Sequence, residues 1–400
     1  MSVSEREPLN KTITCIEDLR LLARRRLPRM FYDFVDSGSW TQQTYRANSA
    51  DFQRIRLRQR VAVDIENRST ACTLLGRPVT LPVAVSPTGG AGFLYADGEI
   101  HAARAAAKFG VPYALSIGSQ CSLEDVRANT SGPLWFQISI LKDRGLLARL
   151  IERAKAADCD ALILTMDFHV AGQRHIDIKN GLGIPPGLTR SFLVDLLSHP
   201  RWCLNMMRTR RRGFGNFIGH VDGVYDIHSF ARWYGRQPFE LKLGWACVDE
   251  VRRQWPGKLI LKGILDPDDA CRAVQAGADA ISVSNQGGRQ LDGAPSSIEA
   301  LPRICEAVGG RIEVFLDGGV RSGQDVLKAL AMGAKGVLLG RAALYGLAAM
   351  GEAGVTAALE IVRKELDCTM AFCGRRSLEH LDESILWRPD REPGFERHRE

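Results

Sequence analysis

From residue 83 onward the chain alternates short apolar runs with longer segments whose apolar residues recur at helical spacing. The runs are Val83–Ser86, Pro112–Ser116, Leu134–Ser139, Ala161–Thr165, Leu259–Lys262, Ala280–Ser284, Val314–Leu316 and Gly336–Leu339. Between most of them lie Ala-rich stretches such as HAARAAAKFG and LLARLIERAKAAD, which predict amphipathic helices. The runs are apolar almost throughout, as expected of parallel strands covered on both faces. Eight strands, each followed by a helix, predict an α/β fold, a (β/α)8 TIM barrel. An open doubly wound sheet would have fewer strands and a GxGxxG turn after one of them, and no run is followed by one.

Three segments lie outside this repeat. Residues 1–80 carry a helical stretch at Ile16–Pro28 and are expected to form an N-terminal helical cap. The barrel is expected over 81–380, with a long insertion at 168–245 after strand 4, and 381–400 forms a C-terminal tail. Within the insertion, TRSFLVDLLSHPRWCLNMMRTRRR (189–212) mixes large apolar residues with six Arg. Such a segment either lies on an anionic bilayer, with Trp202 at the interface, or packs on its own barrel as a lid; periodicity does not separate the two.

Composition narrows the class. With 45% hydrophobic and 25% charged residues the chain is neither disordered nor fibrous. A net charge of +7 permits anionic ligands or an anionic surface without requiring nucleic acid. The RTRRR run lacks the interleaved aromatics of a base-stacking module, so no nucleic-acid partner is expected. The polar N-terminus has no signal-peptide core and no run is long enough to span a bilayer, which predicts a cytoplasmic chain, with peripheral contact on the inner face of the membrane as the finer alternative. The ten Cys are scattered without a CxxC pair and read as reduced thiols, not as a metal site.

In a barrel of this kind chemistry sits at the C-terminal ends of the strands. Strand one ends in SPTGG (86–90), where Gly89 and Gly90, following Pro87 and Thr88, allow a flat ligand close to the backbone. The next strands end at Ser116, at Gln137 and Ser139, at Thr165 and Asp167, and at Lys262. The last three end in SNQGGRQLDG (284–293, opening on Ser284), DGGVRSG (317–323) and GR (340–341). Glycine-rich turns after strands seven and eight, each opening a helix and each bearing an Arg, predict a phosphate site built from backbone N–H groups with Arg321 and Arg341. Lys262 is a cation at a strand end, placed to stabilise an anionic ring or to pair with an Asp. Arg174 and Arg289 are candidates for bidentate contacts to a substrate carboxylate.

These motifs, with LPRMFYDFVDSGS (27–39), WFQIS (135–139), LTMDFHVAGQRHIDIKNG (164–181), LKGILDPDDA (261–270) and FLDGGVRSGQDVLKALAMGAKGVLLGRA (315–342), resemble the FMN-dependent 2-hydroxy acid dehydrogenase/oxidase family, which includes glycolate oxidase, flavin L-lactate dehydrogenase and mandelate dehydrogenase. The resemblance covers nearly the whole chain. It implies FMN across the barrel mouth, with its phosphate in the strand seven–eight site and Lys262 beside the flavin ring. It implies Tyr32, Arg174 and Arg289 as binders of a small carboxylate substrate. Asp167 would orient the catalytic imidazolium. Ser116, Gln137, Thr165, Lys262, Asp317, Gly318, Gly319, Arg321, Gly340 and Arg341 would contact the flavin. A homo-oligomer, with a tetramer in keeping with the family, is also implied, while oxygen, a quinone or a partner protein remain alternative electron acceptors.

Two positions depart from the family pattern. Gln286 stands where the family has its catalytic His, and a carboxamide has no basic form near neutral pH. Ser139 stands where the family has a Tyr, which enlarges the pocket. Three outcomes are open. The chain oxidises a 2-hydroxy acid with another base, Asp167 or a nearby His; it oxidises an amino acid or amine; or it is a non-catalytic FMN-binding accessory protein. Retention of both carboxylate-binding arginines favours a small, still carboxylated ligand, and Ser139 one bulkier than lactate. On this reading Gln286 is placed to hydrogen-bond substrate or flavin.

Overall fold

The structure is a computed structural model that describes residues 12–183, 187, 189–379 and 381–387; the tail expected at 381–400 lies outside it beyond residue 387. A hairpin of β1 (Cys72–Leu74) and β2 (Arg77–Val79) precedes the barrel. The barrel strands are β3 (Val83–Val85), β4 (Tyr113–Ser116), β5 (Leu134–Ser139), β6 (Ala161–Thr165), β7 (Lys258–Ile264), β8 (Ala280–Ser284), β9 (Glu313–Asp317) and β10 (Gly336–Leu339). They close in the order β10-β3-β4-β5-β6-β7-β8-β9, every neighbouring pair parallel. This is the (β/α)8 barrel read from the eight apolar runs.

Alternation along the strands decides what faces inward. Ala84, Ala114, Trp135, Ala161, Ile163, Ile260, Ala280, Phe315 and Leu338 form a core inside the barrel, floored by Leu74 and Val79 of the hairpin. Two residues further along, the same parity brings up Ser86, Ser116, Gln137, Thr165, Lys262, Ser282 and Asp317, all buried. The interior thus turns from apolar to polar at the C-terminal rim. The opposite parity, including Leu115, Phe136, Ile138, Leu162 and Leu164, packs under the surrounding helices.

The longest departure from the expected strands is β7, which runs past Lys262 to Ile264 through a register shift. Gly263 sits there at φ +102°, and a Cβ on it would lie 2.4 Å from Oδ1 of Asp167. The bulge keeps Lys262 pointing inward and leaves room for that carboxylate.

The helical stretch expected at Ile16–Pro28 is one helix that ends before Pro28, and the proline opens a second helix beyond it. These are α1 (Ile16–Arg26) and α2 (Arg29–Val35), followed by α3 (Gln43–Arg54). Ile16, Leu19 and Ala23 form the buried face of α1, which packs against the helices Arg341–Met350 and Glu352–Phe372.

Within the insertion, 190–208 forms the helices Arg190–Ser198 and Pro200–Arg208. Trp202 does not stand at an outer surface. Its ring stacks on Phe31 at 4.9 Å, and its indole N–H donates to the Phe93 carbonyl at 3.1 Å. The Ala96 amide donates to Asn205, and Arg211 pairs with Asp97 and Asp125. The segment therefore packs on the barrel as a lid, one of the two arrangements open to it, with Trp202 facing the protein. Its outer side still carries Leu193, Val194, Leu197, Leu204 and Met207, all exposed.

Candidate active site

The polar rim holds two hydrogen-bonded clusters. Lys262, only 2% exposed, ion-pairs with Asp317 at 2.6 Å and donates to Ser284 Oγ at 2.8 Å. Ser284 donates in turn to Asp317 at 2.7 Å, and Ser86 reaches the other oxygen of that carboxylate at 3.2 Å. On the far side, Ser116 donates to Gln137 Oε1 at 2.9 Å, and Gln137 Nε2 donates to Thr165 at 2.9 Å and to Ser139 at 3.3 Å. Partnering of this kind offsets the cost of burying polar groups.

Gln286 joins the two halves of the chemistry. Its Nε2 donates to Asp167 Oδ1 at 2.8 Å, and its Oε1 accepts from Lys262 Nζ at 3.4 Å. The residue sits at φ +55°, which swings its side chain back over the rim. Burial pushes the Asp167 carboxyl above its ordinary value, with Lys262 and the Gln286 amide opposing. Gln290 holds the neighbouring loops together by donating to the carbonyls of Asp167 and Val170 and accepting from the Gly172 amide.

Arg174 and Arg289 converge on one internal carboxylate. Arg174 donates to Asp177 Oδ2 at 2.6 Å, and Arg289 lies 3.8 Å from the same oxygen. Arg289 also stacks over Phe34 at 4.7 Å and donates to the carbonyls of Phe34 and Ser37. Burial and the charges of Arg174 and Arg341 lower the affinity of Arg289 for its proton, and Asp177 opposes them. The group is short of negative charge.

Tyr32 does not join these arginines. Its hydroxyl donates to Asp36 at 2.6 Å and accepts from Arg20 at 2.8 Å, on the other side of α2, while Phe34 is the residue of that helix facing Arg289. The spacing inside one helix turn places the two rings on different faces. Asp36, Tyr45, Tyr345, Asp177 and Gln290 also make side-chain contacts around the site and escaped the sequence reading, because none is the last residue of a strand.

At the expected phosphate site the two turns differ. The helix Gly323–Ala331 is capped by Ser322, whose side chain accepts from the Asp325 amide. The helix Arg341–Met350 begins after Gly340 with no side-chain cap, leaving its first-turn amides to another acceptor. Arg341 reaches the carbonyls of Val35, Ser37 and Gly287 and lies on the Tyr45 ring at 4.7 Å, while Arg321 lies over Tyr345 at 5.7 Å. Among the described residues neither guanidinium pairs with a carboxylate. An uncapped helix start with two arginines free of acidic partners fits a flavin phosphate, and the buried Lys262 fits the ring.

A family model for FMN-dependent dehydrogenases matches residues 23–388. The chain belongs to that family. It depends on FMN, as the family does. Among curated proteins it is similar to an L-lactate dehydrogenase of Caulobacter sp. (strain K31), 45% identical over 95% of this chain and 100% of the relative. It is likewise similar to an L-lactate dehydrogenase of Pseudomonas syringae pv. syringae (strain B728a), 40% identical over 94% of this chain and 98% of the relative. Among solved structures, the monotopic membrane protein (S)-mandelate dehydrogenase superposes with a TM-score of 0.90 at 36% identity, covering 94% of this chain and 100% of the other. A mandelate oxidase bound to (S)-2-phenylpropionate superposes with a TM-score of 0.77 at 36% identity, covering 92% and 96%. Among the described residues no helix is long and apolar enough to cross a membrane.

Proposed function

We propose that the chain oxidises a 2-hydroxy acid of the lactate or mandelate type at this rim. The observation that carries the reading is the convergence of Arg174 and Arg289 on a single oxygen of Asp177, in a group with surplus positive charge. A substrate carboxylate supplies the missing charge and the planar acceptor that two guanidiniums favour. The names of the relatives, L-lactate dehydrogenase and mandelate dehydrogenase or oxidase, support the same class.

Bound FMN supplies the two-electron acceptor. The chain supplies the rest. Gln286 cannot take a proton, so Asp167 is the proton acceptor, made more basic by burial and oriented by the Gln286 amide. Phe168, next to Asp167 in the chain, packs edge-on against Phe239, which packs in turn on Tyr234; Ser139 in place of a phenol favours a substrate with a bulky side chain. The insertion bearing Phe239 is tied down beside β5, since Lys142 donates to the Pro238 carbonyl at 2.9 Å and Glu240 to that of Ile140 at 3.0 Å.

Anaerobic mixing of the yellow protein with lactate, mandelate and the matching 2-amino acids tests this reading. Bleaching of the flavin absorbance by the hydroxy acids is expected. Bleaching by amino acids alone would replace the substrate class, and none with any acid or amine would leave a flavin-binding accessory protein.

The outer side of the lid supports a peripheral membrane contact. Leu193, Val194, Leu197, Leu204 and Met207 are exposed beside Arg190, Arg201, Arg208, Arg210 and Arg212. Apolar side chains ringed by arginines suit an anionic bilayer surface. A structural relative is a monotopic membrane protein.

A further inference from the structure

The Asp36 carboxylate accepts four side-chain hydrogen bonds. Its Oδ1 accepts from the hydroxyls of Tyr45 at 2.8 Å and Tyr345 at 2.5 Å. Its Oδ2 accepts from Tyr32 at 2.6 Å and from Arg20 at 3.1 Å. These donors come from α1, α2, α3 and the helix Arg341–Met350, so one carboxylate gathers four elements.

Two of the phenols carry the arginines of the phosphate site on their faces, Arg341 over Tyr45 and Arg321 over Tyr345. A phenol that donates to a carboxylate is fixed in rotation, and its ring becomes a richer acceptor for a cation. The backbone beside Asp36 does the same work, since Arg341 donates to the carbonyls of Val35 and Ser37. Arg20 offsets the Asp36 charge, which limits its repulsion of a phosphate.

We propose that Asp36 is a positioning residue for the flavin phosphate: by anchoring Tyr45 and Tyr345 it aims Arg341 and Arg321, and through Arg20 and Tyr32 it links the N-terminal helices to that grip. The inference rests on reading Arg321 and Arg341 as the phosphate residues.

The test compares FMN with riboflavin, which lacks the phosphate. Flavin release from the full-length holoenzyme is followed by the fluorescence of free flavin after dilution, and the flavin-depleted chain is titrated with each compound. Asp36→Asn is expected to lower the preference for FMN over riboflavin about tenfold, with riboflavin affinity unchanged. Tyr345→Phe, which keeps the ring and removes only the hydroxyl, is expected to lower it a few-fold, and it decides the matter if Asp36→Asn fails to fold. Equal weakening of both flavins would reduce Asp36 to a structural role and overturn the proposal. So would an unchanged preference in both variants while Arg321→Ala lowers it. If Arg321→Ala and Arg341→Ala leave the preference unchanged, the phosphate reading itself is wrong.

Discussion

The side-chain amide of Gln286 donates a hydrogen bond to the Asp167 carboxylate at 2.8 Å, while its carbonyl faces Lys262. The carboxamide has no basic form near neutral pH, and its N–H holds the carboxylate in one orientation. Replacing Asp167 by Asn keeps an oxygen to accept from Gln286 and removes the proton acceptor. We expect kcat/KM to fall by about 10²–10⁴-fold. Stopped-flow flavin reduction with the best substrate checks this; a loss under threefold would remove Asp167 from the role.

The same carboxyl makes a pH prediction. Its folded-state value is raised, chiefly by burial, so the fold holds that proton more tightly than the unfolded chain. The contribution of Asp167 to stability is then greatest at low pH and declines as pH rises from its unfolded value through the folded one. Flavin reduction, which needs the charged form, should rise through that folded value. Asp167→Asn should flatten both profiles, and thermal melts across the acid range with the matching rate profile show whether it does.

Gln286→His should add an imidazole beside Asp167. His tolerates the positive φ of this position better than most residues. We expect flavin reduction by lactate or mandelate to accelerate by about 10² or more, reflecting a general base of better matched pKa. An unchanged rate would show that proton removal does not limit the parent.

Arg289→Lys keeps the charge but loses the planar fork and the stacking on Phe34. Substrate KM should rise roughly 10- to 100-fold, in line with loss of a charge-assisted hydrogen bond. Titration with a substrate-like carboxylate that cannot be oxidised, followed through the flavin spectrum, measures the same loss without turnover.

Asp36 should show the opposite acid behaviour to Asp167. Burial opposes its charge, but the bonds from Tyr32, Tyr345, Tyr45 and Arg20 prevail and hold it at about 2 against an ordinary 3.8. Its stabilisation, on the order of 2 kcal/mol, is present above the unfolded value and is lost as pH falls from roughly 4 to 2. Asp36→Asn should shift the acid-unfolding midpoint upward or weaken its steepness, as circular dichroism would record.

Leu197→Glu with Leu204→Glu should abolish flotation with anionic liposomes while leaving flavin content unchanged, since both side chains point away from the barrel packing. Undiminished flotation would place the contact elsewhere.

Much of this molecule is written in local order. The eight apolar runs specify the barrel because strands covered on both faces need apolar side chains at most positions. The rim residues Ser116, Gln137, Thr165, Lys262 and Asp317 are legible because they end those runs. The glycines and arginines after the last two strands are legible as a candidate anion site for the same reason. What only the tertiary structure decides is which of these groups meet. Asp36 gathers Arg20, Tyr32 and Tyr45 from nearby helices but also Tyr345 from 309 residues away, and Asp177 is shared by its helical neighbour Arg174 and the distant Arg289, long-range contacts that no period encodes. Tyr32 turns toward Asp36 and Phe34 toward Arg289 because helix rotation, not composition, chooses the face. Trp202 turns inward because Phe31, distant in sequence, offers it a stacking partner. Proximity between distant side chains is set by how the helices close over the barrel, and that is information the linear pattern carries only collectively.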